Sequence, residues 1–141
     1  MESYKDFQNS FNKYSKYEDI LAHKLIEKYD LNSYEKCTTK AYDIKLSNNQ
    51  TYELKVDMMS NRTKNVYVEY WSRGKQSGIY TTKSDYYVFS FDCKTFHIIK
   101  SSKLLNIVKV GNYRKIETKH SSTFGYLIPM SEFMSYVDET M

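Results

Sequence analysis

Residues 41–57 read AYDIKLSNNQTYELKVD, and this stretch decides the fold. Apolar and polar side chains alternate over residues 41–46 and again over residues 51–57, which is the period of a β-strand with one buried face. The intervening SNNQ, residues 47–50, consists of residues that favour turns. The stretch therefore predicts a β-hairpin.

Three charged side chains share one face of the second strand of this hairpin. Alternate residues of a strand point the same way, so Glu53, Lys55 and Asp57 lie together, and Asp43 lies on the preceding strand. Two carboxylates on neighbouring strands can hold a hard divalent cation such as Mg²⁺, which prefers oxygen ligands. A lysine beside them can orient or deprotonate an attacking water and offset the charge of a phosphate. The set suits metal-assisted hydrolysis of a phosphodiester bond.

The length of the hairpin loop decides whether Asp43 reaches that face. A two-residue loop would pair residue 43 with residue 54 and turn Asp43 away from Glu53. A three- or five-residue loop, or a bulge, would pair residue 43 with residue 53 or 55. We therefore predict an odd-length loop or a bulge between residues 43 and 53.

The remaining pattern predicts an α/β (α+β) fold with a central mixed sheet of about five strands flanked by helices. A helix is expected over residues 14–30, with Ser15 as its N-cap and Glu18 completing a capping box. We expect the next strand, residues 65–71, to neighbour the strand of Glu53. The further expected elements are a loop or short helix over 72–84, strands at 85–91 and 95–100, and helices at 101–110 and 130–141.

Composition predicts one domain spanning residues 1–141. Hydrophobic residues make up 40% of the 141 residues and charged residues 27%, as in ordinary globular proteins. The cysteines, Cys37 and Cys93, have no metal-ligand spacing, which favours a reducing, intracellular setting. No apolar stretch has the length of a membrane span, and the N-terminus lacks a signal-peptide core. We expect a soluble protein of the cytoplasm, with no membrane partner.

Positive charge is concentrated in residues 71–120, which carry 10 Lys and Arg against 3 Asp and Glu, whereas residues 1–70 are neutral. This asymmetry suggests a polyanionic partner, although a solvated surface explains it equally well. Within 72–78, cations, a hydroxyl and two glycines suit a close approach to phosphates, or form only a flexible turn. The candidate nucleic-acid-binding residues are Arg73, Lys75, Ser77 and Lys83.

A family resemblance rests on these residues. Asp43, followed by Glu53-Leu54-Lys55 on the next strand of an α-β-β-β start, resembles the PD-(D/E)XK nuclease superfamily, which includes short restriction enzymes, Holliday-junction resolvases and phage nucleases. The stretches YELKVD, NVYVEYWSRGKQSGI and TTKSDYYVF occur in the order found in small phage-type members. The resemblance covers about residues 14–100, as a restriction-endonuclease-like core. Residues 101–141, which we expect to form a helical C-terminal part, match no family that we can name.

The resemblance implies specific roles. Mg²⁺ or Mn²⁺ would be held by the carboxylates of Asp43 and Glu53 and by the backbone carbonyl of Leu54. Lys55 would be the catalytic lysine. Glu18 resembles the acidic residue that many members place on the first helix to reach the metal or its water, with the capping box as an equally good explanation.

Two further carboxylates are candidates for the same site. Asp57 would extend the acidic site or, as we favour, cap the end of its strand. Glu69, on the strand at 65–71, would supply another carboxylate or pair with a surface lysine.

The sequence thus predicts a metal-dependent endonuclease that hydrolyses DNA, with junctions or branched DNA among the candidate substrates. Such nucleases often act as homodimers because a duplex has two strands to cut, yet no residue here specifies an interface. The main alternative is a non-catalytic nucleic-acid-binding module that retains the nuclease fold. A structural domain with an incidental Glu-x-Lys is a third, less favoured reading.

Overall fold

The computed structural model describes residues 4–37, 39, 41–118 and 122–141, and their side chains from Ser15 onward. A short 3-10 helix at Gly78–Tyr80 accompanies the helices and strands. In chain order, the elements of the described residues are α1 (Tyr4–Tyr29), β1 (Tyr34–Lys36), β2 (Ile44–Leu46), β3 (Thr51–Val56), α2 (Met59–Thr63), β4 (Asn65–Ser72), β5 (Lys75–Gln76), β6 (Tyr86–Ser90), β7 (His97–Lys100), α3 (Ser101–Val110), β8 (Arg114–Glu117), β9 (Thr123–Pro129), α4 (Met130–Tyr136) and β10 (Glu139–Thr140).

The central sheet is mixed, which confirms the predicted α/β class. Over the described residues it has six strands in the order β1-β2-β3-β6-β7-β10. β3 and β6 are parallel, and the other neighbouring pairs are antiparallel. The sequence did not indicate β1 and β10, because strands of three and two residues are too short to show an alternation.

A second, antiparallel sheet has the order β5-β4-β9-β8, and it corrects the predicted position of β4. β4 does not neighbour β3, because α2 and a left-handed residue, Lys64 with φ 60°, redirect the chain after β3. Val66 and Val68 of β4 are buried in a cluster with Tyr87 and Phe89 of the central sheet, so β4 packs across that sheet instead of extending it.

The C-terminal part is not wholly helical as predicted. Residues 101–141 contain α3 and α4, but also β8, β9 and β10, and the predicted terminal helix ends at Tyr136. β9 pairs with β4 over almost its whole length, and there Gly125 lies under the ring of Tyr67, where a Cβ would come within 2.3 Å of the ring. The pairing of β9 depends on β4, which is distant in sequence, and local patterning does not reveal it.

Different layers cover the two faces of the central sheet. Leu21 and Leu25 of α1 pack against Ile44 of β2 and Tyr52 of β3 on one face. The second sheet, α3 and α4 pack against the other face. Because successive strand residues alternate, Tyr52 points toward α1, while Glu53 and Lys55 point toward the second sheet.

The predicted capping box at the start of the first helix is wrong. α1 begins at Tyr4, so Ser15 and Glu18 lie in its interior. Ser15 instead accepts a hydrogen bond at its backbone carbonyl from Lys36 Nζ, at 3.1 Å. A capping sequence identifies a helix start only where the chain before it is not helical. Among the described residues, no helix is long and apolar enough to cross a membrane.

Candidate active site at the edge of β3

The loop between β2 and β3 has three residues, 47–49, which confirms the predicted odd length. Ile44 pairs with Tyr52, and the N–H of Leu46 donates to the carbonyl of Gln50 at 2.9 Å. Asn49 closes the loop in the left-handed conformation, with φ 72°, which asparagine tolerates better than most residues. Ile44, the first residue of β2, is the last residue paired in this register, and Asp43 directly precedes it.

Asp43 lies just before the start of β2, close enough to Glu53 for its charge to raise the pKa of Glu53. Its N–H donates to the carbonyl of Tyr52 at 2.9 Å, and its Oδ2 accepts a hydrogen bond from the N–H of Leu54 at 2.7 Å. The carboxylate is thus fixed against the edge of β3. A strand residue directs its N–H and its C=O to the same side, so the Leu54 carbonyl also points to this edge.

The two carboxylates are costly to ionise together. Burial raises the pKa of Glu53, and the charge of Asp43 raises it further, while Lys55 opposes the rise. Burial also raises the pKa of Asp43, against the effect of its hydrogen bond from Leu54. The side chain of Glu53 is 15% exposed, and Lys55 Nζ lies 4.0 Å from its Oε2. A bound cation would relieve this concentration of negative charge.

Glu18 approaches the same edge from α1. It lines a cavity of about 150 Å³ with Leu54, Lys55 and Val56. Burial raises the pKa of Glu18, and the charge of Asp43 adds to that effect. An ion pair with Lys36, 3.4 Å from Nζ to Oε1, stabilises the charged form. The helix thus brings Glu18 near Asp43.

A second cavity, of about 200 Å³, lies between the two sheets, and we call it the inter-sheet cavity. Its described lining residues are Lys55, Val56, Asp57, Tyr67, Val68, Glu69, Tyr87 and Phe89. Glu69 thus reaches the site from the second sheet, and its charge contributes to raising the pKa of Glu53. The sequence indicated this carboxylate, but for the wrong reason, since β4 is not a neighbour of β3.

Tyr87 is a site residue that the sequence did not indicate. It is 2% exposed and pairs with Glu53 across the parallel β3 and β6 strands. Its hydroxyl is buried and makes no hydrogen bond of ordinary geometry among the described residues, although it interacts with the Glu53 carboxylate and the Thr82 hydroxyl. Burial, and then the charge of Glu53, raises the pKa of this hydroxyl, so Tyr87 stays neutral. Only the pairing of β3 with β6, which no local pattern reveals, could have identified it.

Ser77, a predicted nucleic-acid contact, forms a hydrogen bond to Glu69 in this structure. Its hydroxyl donates to Glu69 Oε2 at 2.9 Å. The next residue, Gly78, has φ 55°, and a Cβ there would lie 2.2 Å from the Glu69 carbonyl oxygen. The segment after β5 therefore packs tightly on Glu69 and fixes its position.

Asp57 stabilises the turn into α2. Its carboxylate accepts hydrogen bonds from the hydroxyl of Ser60 and from the N–H of Ser60, the latter at 3.2 Å. This arrangement agrees with the interpretation of Asp57 as a cap. Asp57 nevertheless lines the inter-sheet cavity beside Lys55.

The predicted cations lie around the site. Arg73 and Gly74, with φ 53° and 81°, form the two-residue turn between β4 and β5, which leaves Arg73 and Lys75 exposed at the hairpin tip. At about 3.3 Å per residue, Arg73 lies about 13 Å beyond Glu69 along the chain. Lys83 is exposed, and its N–H donates to the carbonyl of Ala41, two residues before Asp43. Lys119, also in the basic stretch, lies outside the described residues.

The residues present fit a small divalent cation. The described residues contain no group of three or more His, Cys, Asp or Glu side chains suited to a metal ion. Mg²⁺ is commonly bound through only one or two carboxylates, with waters completing its shell. Asp43, Glu53 and the Leu54 carbonyl are the groups that could hold such a cation, and the burial that raises the pKa of both carboxylates is compatible with one.

Comparisons of the chain with protein-family models, with curated proteins and with solved structures found no match.

Proposed function

We propose that this protein is a metal-dependent endonuclease that hydrolyses DNA phosphodiester bonds, with a restriction-endonuclease-like core. The order α1-β1-β2-β3 at the start of the chain supports this proposal, because Asp43 directly precedes β2 while Glu53 and Lys55 lie on β3. The mixed central sheet is consistent with such a core.

One observation carries the proposal, namely the register of the β2–β3 hairpin. It ends at the pair of Ile44 with Tyr52, so that Asp43 lies against β3, where its carboxylate accepts a hydrogen bond from the Leu54 N–H and its charge acts on Glu53. A hairpin with an even loop would have separated the two carboxylates. Buried carboxylates with raised pKa values are costly for a purely structural site, and they cluster where function requires them.

The chemistry divides among the site residues. Mg²⁺ held by Asp43, Glu53 and the Leu54 carbonyl would polarise a phosphate and offset its charge. Lys55, with Nζ 4.0 Å from Glu53, orients the attacking water and stabilises negative charge on the phosphate. The neutral hydroxyl of Tyr87 is available to donate a hydrogen bond to a phosphate oxygen or a water in the inter-sheet cavity.

DNA is the proposed substrate because exposed cations occur on segments that lead to this acidic centre. Arg73 and Lys75, at the tip of the hairpin that follows Glu69, and Lys83, whose N–H donates to the Ala41 carbonyl, would contact backbone phosphates. A non-catalytic DNA-binding module would gain nothing from buried carboxylates that face a phosphate. The endonuclease is therefore favoured over that alternative.

The test is a cleavage assay on supercoiled, linear, branched and single-stranded DNA in Mg²⁺, Mn²⁺ or EDTA. We expect cleavage with either metal and none in EDTA. Lys55→Met should slow cleavage by about 10²- to 10⁴-fold, whereas Lys109→Met, at an exposed position near the end of α3, should cleave like the wild type. Binding without cleavage by the wild type would favour the non-catalytic module. Unchanged cleavage by Lys55→Met would contradict the role of Lys55.

A further inference from the structure

An apolar cavity of about 340 Å³ adjoins the proposed active site, and we call it the side cavity. Its volume is within the range of small-ligand sites, which are mostly apolar with a few polar groups. Its described lining residues are Asp57, Met59, Ser60, Thr63, Asn65, Tyr67, Ile116, Thr118 and Leu127. Asp57 and Tyr67 also line the inter-sheet cavity, so the two cavities share a wall.

The aromatic ring in this shared wall is held in place. The hydroxyl of Tyr67 lies 3.0 Å from Thr123 Oγ1. Its ring lies against Gly125, where a Cβ would come within 2.3 Å of the ring carbons. Because the ring is already ordered, a planar group could pack against it without the free-energy cost of ordering a side chain on binding.

The polar groups around the side cavity are largely bonded to one another. Asn65 Nδ2 donates to the carbonyl of Thr63 at 3.1 Å, and the Thr63 hydroxyl donates to the carbonyl of Asn65 at 3.3 Å. The carboxylate of Asp57 is engaged by Ser60. The cavity therefore offers mainly apolar and aromatic contacts, which suit the flat face of a planar group better than a set of specific hydrogen bonds.

We propose that the side cavity receives an unpaired DNA base, stacked against Tyr67, while the phosphate of the same strand lies in the inter-sheet cavity. This inference rests on the proposed function and adds the class of substrate, namely DNA with unpaired nucleotides at the cleavage position. Continuity with the inter-sheet cavity favours a nucleotide over an unrelated apolar ligand. Lys55 and Asp57 are two strand positions apart, about 7 Å, so a phosphate near Lys55 places its sugar and base toward the side cavity. Stacking on an aromatic ring tolerates any base, so we infer little sequence preference.

The test compares DNA binding in Ca²⁺, which takes oxygen ligands as Mg²⁺ does and offsets the charge of the carboxylates, on strands confirmed to remain uncut. Fluorescence anisotropy measures the affinity of the wild type and of Tyr67→Ala for a labelled single strand and for the same strand made of abasic sugars. Tyr67→Ala should weaken binding of the base-bearing strand by about 5- to 150-fold, the measured range for one stacked base. Binding of the abasic strand and of an intact duplex should change less than about twofold. Tyr67→Phe, which keeps the ring, should bind the base-bearing strand as the wild type does.

The outcomes separate this inference from the proposed function. Equal losses for base-bearing and abasic strands, or no loss for either, would overturn the stacking role of Tyr67. If either result is found together with metal-dependent cleavage, the nuclease function is supported and only the base site in the side cavity is rejected. If the expected binding differences are found but no DNA is cleaved, the base site is supported and the nuclease function is rejected. Circular dichroism of Tyr67→Ala, with Tyr67→Phe as its matched control, identifies a loss of fold.

Discussion

Replacing Glu53 with glutamine is expected to stabilise the metal-free protein at neutral pH. Burial and the neighbouring charge of Asp43 raise the pKa of Glu53, so its ionised form is costly in the folded state. Glutamine keeps the size and shape of the side chain and removes the charge. Residues that bind a metal are commonly suboptimal for stability, because they are arranged for function.

The magnitude follows mainly from the burial of the Glu53 carboxylate, which raises its pKa more than the charge of Asp43 does. The side chain is 15% exposed, and burying a charged group that is incompletely paired costs about 3 kcal/mol. Lys55 lies 4.0 Å from Glu53, but it is 43% exposed, and solvent screening limits that pair to about 1 kcal/mol. The net gain is about 2 kcal/mol in the free energy of unfolding, or about 6 °C in Tm.

The effect of pH has a definite sign. Because the pKa of Glu53 is raised by folding, the folded state binds more protons than the unfolded state above the ordinary glutamate pKa of about 4.3. Stability therefore falls as the pH rises from about 4 through the raised pKa. The wild type should show this decline, and Glu53→Gln should show less of it, because Asp43 and Glu18, whose pKa values are also raised, still contribute.

Urea and thermal denaturation in EDTA measure the change. Glu35→Gln, the same substitution at an exposed position on β1, is the control and should shift stability by less than about 0.5 kcal/mol. Mg²⁺ at a hundred times its Kd should stabilise the wild type by about 2.7 kcal/mol and Glu53→Gln much less. If Glu53→Gln is less stable than the wild type, the ionised Glu53 is not costly in the folded protein. If Mg²⁺ stabilises both proteins equally, Glu53 does not bind the metal.

Three further predictions concern the surroundings of the site. Tyr87→Phe should change stability by less than about 1 kcal/mol in urea denaturation, because the buried hydroxyl makes no hydrogen bond of ordinary geometry, and it should slow DNA cleavage. A large loss of stability would contradict this. Gly78→Ala should lower the free energy of unfolding by about 3 kcal/mol, because its Cβ would contact Glu69 at a positive φ. Gly74→Ala, also at a positive φ but with open space around it, should lower it by about 1 kcal/mol. Equal losses would argue against the close approach of Gly78 to Glu69. Asn49 has the left-handed conformation, so Asn49→Gly should keep the stability of the protein, while Asn49→Val should lose about 1 to 2 kcal/mol in thermal denaturation. Equal Tm values for the two variants would contradict the importance of this conformation in the loop.

The hairpin was predictable from the sequence because its information is local. Alternation on both sides of SNNQ fixed which side chains share a face, and the demand that Asp43 lie beside Glu53 fixed an odd loop length. The three-residue loop, with Asn49 in the left-handed conformation, meets that demand. The site's central geometry therefore follows from about fifteen consecutive residues.

The outer parts of the site were not predictable in the same way, since they depend on pairings between distant segments. Glu69 reaches the site because β4 crosses to a second sheet, and Tyr87 reaches it because β6 pairs in parallel with β3. The serine of the basic segment was assigned to DNA because hydroxyls commonly contact phosphates, yet Ser77 is used by Glu69. Gly125, which makes room for Tyr67, gave no local signal of its partner.

The role of the Asp43 carboxylate in metal-dependent cleavage is tested by substituting it with asparagine. The rate of Mg²⁺-dependent DNA cleavage by Asp43→Asn is measured under single-turnover conditions beside the wild type and Glu35→Gln. The substitution preserves the shape of the side chain and can still accept the hydrogen bond from Leu54, so the fold is retained while the charge is lost. We expect the cleavage rate to fall by more than about a hundredfold for Asp43→Asn and to stay unchanged for Glu35→Gln. Cleavage by Asp43→Asn at the wild-type rate, or no metal-dependent cleavage by the wild type on any DNA, would contradict it.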